Sequence, residues 1–190
     1  MNARTFISSI VVSMLMFALP ASGQTATGGQ AQQPLTANES KNVGDWLVRC
    51  FPVKSPTPCD MLYILAIKNT GQVMLSMRIA DVPSKDRHVM IIGVPLGVSF
   101  AKGIVVTTDG GATAPLLFQR CDREGCYVQT MLDDNSMDSL AKSTAANTAI
   151  KFAGYNGKAF SLPFPLNGFA EARDTMDQLA KGRVAAQSKD

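Results

Sequence analysis

The chain has 190 residues, and its 18 Lys and Arg against 15 Asp and Glu give a formal net charge of +3. The basic residues are scattered, with no block longer than two, so the basic stripe that holds nucleic acid is missing and a nucleic-acid partner is not expected. With a leader set aside, what remains is the length of one domain with a real core.

The N-terminus reads MNARTFISSIVVSMLMFALPASGQ. Arg4 precedes an apolar run over residues 6–19, Pro20 breaks any helix there, and Ala21-Ser22-Gly23 supplies small residues before Gln24. These are the three parts of a secretory signal peptide, assigned to residues 1–23. A run of about 14 apolar positions falls short of the roughly 20 that cross a bilayer. No transmembrane segment is expected, and no cysteine follows the cleavage region to carry a lipid. Residues 24–41 (QTATGGQAQQPLTANESK) are polar and aperiodic. They bury too little apolar surface to offset their ordering entropy and read as a flexible leader.

The folded domain is assigned to residues 42–181. NVGDWLVRC is a strand with Trp46, Val48 and Cys50 on one face, and CDMLYILAIKN follows a proline-rich loop. QVMLSMRIA alternates, with Val73, Leu75, Met77 and Ile79 inward, and Asn69-Thr70-Gly71 joins it to the preceding strand as a hairpin. HVMIIGVPLGVSFAKGIVVTTDGG gives further short strands, with bulges or bends expected at Gly93, Pro95, Gly97 and Gly103 and a tight turn at Asp109-Gly110. APLLFQRC and CYVQTMLDD form a second hairpin. The period then changes: Asn135 or Ser136 caps a short helix that buries Met137, Leu140 and Ala141. Strands return around Asn156-Gly157, a hairpin signal. NGFAEARDTMDQLAKG ends the domain as an amphipathic helix with Phe169, Ala172, Arg173, Met176, Leu179 and Ala180 near one stripe and Gly182 as its stop. Residues 182–190 read as a frayed tail. The pattern as a whole predicts a mainly β fold: a β-sandwich of roughly nine strands with one short helix and one C-terminal helix.

The chain has four cysteines. In an exported protein an even number predicts disulfides. Each of the pairs Cys50–Cys59 and Cys121–Cys126 flanks a turn between strand-like segments, so local pairing is the simplest of the three connectivities. A redox dithiol normally has C-x-x-C spacing at a helix N-terminus, and zinc needs ligand pairs at short spacing, often with histidine. CDREGC fits neither as well as it fits a staple across a turn.

GDWLVRC at 44–50, the cysteine after it, VPLGVSFAKGIVVTTDGG at 94–111, the C-x4-C pair and SLPFPLNGFAEA at 161–172 together resemble the invasion-associated locus B (IalB) family of exported Gram-negative envelope proteins. The resemblance runs through residues 42–181. It implies a periplasmic, immunoglobulin-like β-sandwich and brings no catalytic residues with it.

Several positions that could carry chemistry have simpler readings. His88 stands beside Asp86 and Arg87, but no nucleophile elbow accompanies it, and a hydrogen-bonded or exposed histidine at a strand start is expected. Asp133, Asp134 and Asp138 lack the spacing of a calcium loop. Met61, Met74, Met77, Met90, Met131, Met137 and Met176 are spread at core-like positions and read as packing rather than copper ligands. Phe160, Phe164 and Phe169, among the prolines of FSLPFPLNGF, either seat the terminal helix or form an apolar interaction patch, the former being favoured. No catalytic residue, cofactor or metal is assigned. The expected function is a non-enzymatic periplasmic module that binds an unidentified envelope protein, in support of envelope function or host interaction. The alternative is a small-ligand-binding protein with a pocket between sandwich and C-terminal helix. Release from the cell is the alternative location, and nothing in the sequence sets an oligomeric state.

Overall fold

In a computed structural model, residues 37–52 and 55–187 are described. The signal peptide and most of the leader lie outside them. Eleven strands and two α-helices follow in order: β1 (Glu39–Val43), β2 (Trp46–Cys50), β3 (Cys59–Ala66), β4 (Val73–Val82), β5 (Arg87–Val94), β6 (Ile104–Thr108), β7 (Gly111–Ala112), β8 (Arg120–Cys121), β9 (Cys126–Leu132), α1 (Asp134–Lys142), β10 (Ala149–Ala153), β11 (Ala159–Pro163) and α2 (Phe169–Gln187). The fold is the expected mainly β sandwich with a short helix and a terminal one. A seven-stranded antiparallel sheet has the order β1-β2-β3-β4-β5-β9-β8, and a four-stranded one has β11-β10-β6-β7. Among the described residues no helix is long and apolar enough to cross a membrane.

Alternation along the strands builds the core. The registers Val48↔Met61, Met61↔Ile79 and Ile79↔Met90 line up four buried side chains across β2 to β5. The next row places Met77 opposite Ile92, and Ile92 opposite Val128. Ile104, Val106, Ile150 and Phe152 of the smaller sheet and Phe169, Ala172, Met176 and Ala180 of α2 join the same cluster. Five of the seven methionines read as packing are buried in it; Met74 is half-buried and Met131 is exposed.

Four expectations need correction. The leader does not extend to residue 41: β1 begins at Glu39, which pairs with Cys50, and Asn38 N–H donates to Cys50 O at 3.1 Å. Backbone pairing organises a segment whose side chains, mostly exposed, carry no pattern. At the other end α2 passes through Gly182 to Gln187. Arg183 explains this, because it donates to Phe51 O (3.2 Å), Asn38 Oδ1 (3.0 Å) and Glu39 Oε2 (3.0 Å), and tertiary contacts override the low helix propensity of one glycine. The cap of α1 is Asp133, which accepts from Ser136 N–H at 2.8 Å, rather than Asn135 or Ser136. Gly93 is no bulge. It sits in regular register between Ser76 and Tyr127, and a Cβ there would lie 2.5 Å from Ser76 Oγ.

α2 is seated by a backbone-to-backbone contact. Gly44 (φ 58°) in the β1–β2 turn and Gly168 (φ 76°) before the helix lie so close that a Cβ on Gly168 would be 2.6 Å from Val43 O. Asp45 N–H donates to Asn167 O (3.2 Å) across the same contact. Phe169 then meets Trp46 edge to face, with ring centroids 5.2 Å apart.

Candidate functional site

Two places among the described residues are candidates for a functional site. The first lies where α2 crosses the far end of β4 and β5. Asp81 and His88 are direct cross-strand partners there, on the face shared with Ile79 and Met90. Asp177, next to the buried Met176, reaches them from α2. His88 Nε2 and Asp177 Oδ1 share a hydrogen bond of 2.9 Å. Asp81 is 5% exposed and His88 6%. Asp81 Oδ2 and His88 Nδ1 are buried and make no hydrogen bond among the described residues.

The electrostatics follow from burial beside like charges. Burial alone would lower the His88 pKa, but the Asp177 hydrogen bond and the charges of Asp177, Asp81 and Asp134 outweigh it and leave the imidazole above its ordinary 6.5. Burial, together with the Asp177 charge, holds Asp81 above the usual carboxylate range, although His88, Lys181 and the Val82 amide pull the other way.

The second place is on the opposite face of the seven-stranded sheet, at the opposite end of β5. Ile64, Ser76, Gly93 and Tyr127 form one cross-strand row there. The missing side chain at Gly93 leaves the floor of a cleft of about 690 Å³, walled by Val94-Pro95-Leu96 and by Arg123-Glu124-Gly125. A smaller cleft of about 240 Å³ shares Gln72, Pro95 and Leu96 with it and continues to Ile67, Met74 and Phe160. Leu96 is 57% exposed and Ile64 50%, with Val73 and Ile67 also exposed, so apolar side chains are accessible in both clefts, beside the polar Gln72, Ser76, Arg123 and Glu124.

The wall bearing Arg123 and Glu124 is held rigidly. Disulfides join Cys121 to Cys126 across this turn and Cys50 to Cys59 across β2 and β3, leaving no cysteine free. Between the two cysteines, Asp122 accepts from Glu124 N–H (2.9 Å) and Gly125 N–H (3.3 Å), and from Tyr127 OH (3.2 Å) and Arg120 Nη1 (2.7 Å) just outside them. These donors, led by the Glu124 amide, keep the carboxyl below its ordinary pKa of 3.8. Arg120 also lies over the Tyr127 ring, 4.2 Å from its centroid.

The fold carrying these sites has relatives. A family model for Invasion associated locus B (IalB) protein matches residues 46–177. The chain belongs to the IalB family. Two Invasion protein B homologues of Brucella abortus, from strain 2308 and from biovar 1 strain 9-941, are each 28% identical over 138 residues, covering 72% of this chain and 78% of theirs. Invasion associated protein B of Bartonella henselae, a crystal structure, superposes with a TM-score of 0.65 at 20% identity, covering 75% of this chain and 99% of that one. That likeness supports the sandwich fold.

Within this IalB domain the residues singled out from the sequence fare unevenly. All four cysteines pair as expected. His88 is hydrogen-bonded as expected, but to Asp177; its neighbour Asp86 is exposed in the turn at φ 50°. Asp133, Asp134 and Asp138 do not act together, since Asp133 caps α1 and Asp138 pairs with Arg173 at 2.8 Å. The patch of Phe160, Phe164 and Phe169 does not exist as a surface. Phe164 and Phe169 are each 1% exposed and belong to the core, where Phe169 seats α2 against Trp46. Phe160 alone is accessible, stacked on Phe152 with centroids 5.1 Å apart, and it lines the smaller cleft. Neither cleft lies between sandwich and helix, where Phe169, Ala172, Met176 and Ala180 fill the interface. Asp81, Asp177 and the Leu96 surface are not apparent from the sequence pattern. The four residues 83–86 between β4 and β5 were the available signal for Asp81, since a tight turn there puts it opposite His88.

Proposed function

We propose that this IalB-family chain is a non-catalytic interaction module of the periplasm, and that it takes an apolar segment of an envelope protein along the Leu96 clefts. The observation that carries this reading is the run of exposed Ile64, Ile67, Val73 and Leu96 around a rigid, disulfide-held wall. Apolar side chains exposed around a cleft can take up the apolar side chains of a bound segment. Arg123 and Glu124 at the rim supply the polar edge that interfaces place around an apolar centre. The signal-like N-terminus and two disulfides support an exported, oxidising location. His88 lies apart from the clefts: it is hydrogen-bonded to Asp177 of α2, at the opposite end of β5 and on the opposite face.

Pull-down of envelope proteins from cells producing the wild type and Ile64→Asp tests the reading. A partner retained by the wild type and lost with Ile64→Asp, at unchanged thermal stability, supports it. A partner held equally by both contradicts it. A small apolar ligand in the same surface is the second reading, favoured by the cleft volume of about 690 Å³, which suits a ligand pocket. It predicts that purified protein binds hydrophobic dyes or lipids at this face with no protein partner present.

A further inference from the structure

We propose that Asp81, His88 and Asp177 form a binding site for a divalent transition-metal ion of the zinc class. One donor atom from each residue lies within 4.8 Å of the other two. The residues come from three elements that the fold brings together: β4, β5 and α2. An imidazole nitrogen with carboxylate oxygens is a donor set that zinc accepts.

One observation beyond the spacing of the donor atoms points to a ligand. Among the described residues Asp81 Oδ2 is buried without a hydrogen-bond partner, and buried polar atoms are nearly always satisfied by something. Asp81 is 95% removed from solvent, at 5% exposure, so bulk water does not answer for it. The site also concentrates negative charge. Asp81 and Asp177 stand together where α2 meets the sheet, with Asp134 near enough to act on His88, and the positive groups that act on Asp81 are His88 and Lys181. A dication answers two carboxylates where a single proton on His88 does not.

The donor set also decides the class of ion. Calcium takes six to eight oxygen ligands, or roughly that number, and magnesium keeps most of its waters; three donors including an imidazole suit neither. Tetrahedral zinc places its donors about 3.3 Å apart, from metal–ligand distances of about 2.0–2.1 Å. The His88–Asp177 pair at 2.9 Å is already near that spacing. Asp177, with a side chain 23% exposed, provides the route by which the ion enters. Three protein ligands leave a fourth position for water. The ion would also tie α2 to the sheet, since one ligand belongs to the helix and two to the strands.

The test uses mature, disulfide-intact protein stripped with a chelator and dialysed. Zinc is titrated calorimetrically, cobalt(II) is added for its visible spectrum, and melting temperature is read with and without zinc. The wild type is expected to take one zinc, to give the intense visible bands of tetrahedral cobalt(II), and to melt higher when loaded. Asp81→Asn and Asp177→Asn should each weaken binding by at least about 10–100-fold, the range for perturbing even the surroundings of a metal ligand. Asp174→Asn, an exposed carboxylate on α2, should bind as the wild type does. Should Asp81→Asn not fold, Asp177→Asn decides alone, because its side chain lies at the rim. Absence of zinc and cobalt binding in the wild type overturns the proposal, as does binding that Asp177→Asn leaves unchanged.

Discussion

Truncating Phe169 to alanine removes a ring that is 1% exposed and packs edge to face on Trp46 at 5.2 Å. It lies one residue from the close contact of Gly168 with the β1–β2 turn. The backbone there is already touching, so the helix has little freedom to settle into the vacated space. Phe→Ala in such a site costs about 3–5 kcal/mol, of which the aromatic pair itself contributes roughly 0.5–1.5 kcal/mol. Against a typical domain stability of about 5–15 kcal/mol, that is a large fraction. At roughly 2–4 °C per kcal/mol for a domain of this size, the melting temperature should fall by about 10 °C. Urea unfolding with the disulfides intact is the assay, with the midpoint expected to drop at an unchanged slope. A variant with the wild-type midpoint would refute the packing argument. If it also lost partner capture, the helix face rather than the Leu96 surface would be the binding site.

Other consequences of the structure are as direct. Asp60 is fully buried on the outer sheet face, held bidentately by Arg49 at 2.8 Å, with Arg78 Nε 2.6 Å away but its N–H not aimed at the oxygen. Asp60→Ala should therefore cost about 3 kcal/mol, the low end for breaking a buried pair because both arginines reach solvent, as read from denaturation midpoints. Ending the chain after Gly182 should cost about 1 kcal/mol through the lost Arg183 bonds; a truncation with no effect would show that the last turn of α2 is idle. The lowered pKa of Asp122 means its turn contacts are present above pH 3.8 and lost as pH falls through a lower value. Amide shifts of Glu124 and Gly125 should then titrate by NMR with a midpoint under 3.8, and a midpoint at or above it would contradict the hydrogen-bond geometry.

The parts of this fold that were legible in the sequence are those where side-chain pattern and local chemistry agree. Leu75, Met77 and Ile79 alternate inward in β4 as read, although Val73 at the strand start is exposed beside the register shift at Leu65/Ala66. The Asp109-Gly110 and Asn156-Gly157 turns and the two disulfides follow from residues a few positions apart. What stayed hidden depends on distance along the chain or on backbone alone. β1 pairs through its main chain while its side chains are mostly polar, and α2 continues past Gly182 because Arg183 finds partners 132 to 145 residues away. The same holds for the candidate sites. His88 and Asp177 are separated by 89 residues, and no local pattern announces that contact. The Leu96 surface arises from an absence: Gly93 reads as a strand breaker, whereas in the sheet it opens the floor of a cleft.

The claim that the Leu96 surface binds a protein is tested most directly by site-specific photocrosslinking in intact cells. A photoreactive amino acid is placed at Leu96, and in a parallel strain at Lys142, which is exposed on α1. The account predicts a discrete cross-linked adduct from position 96 that disappears when Ile64→Asp is added, and no such adduct from position 142. Adducts from position 142 with none from position 96, or a position-96 adduct indifferent to Ile64→Asp, would contradict it.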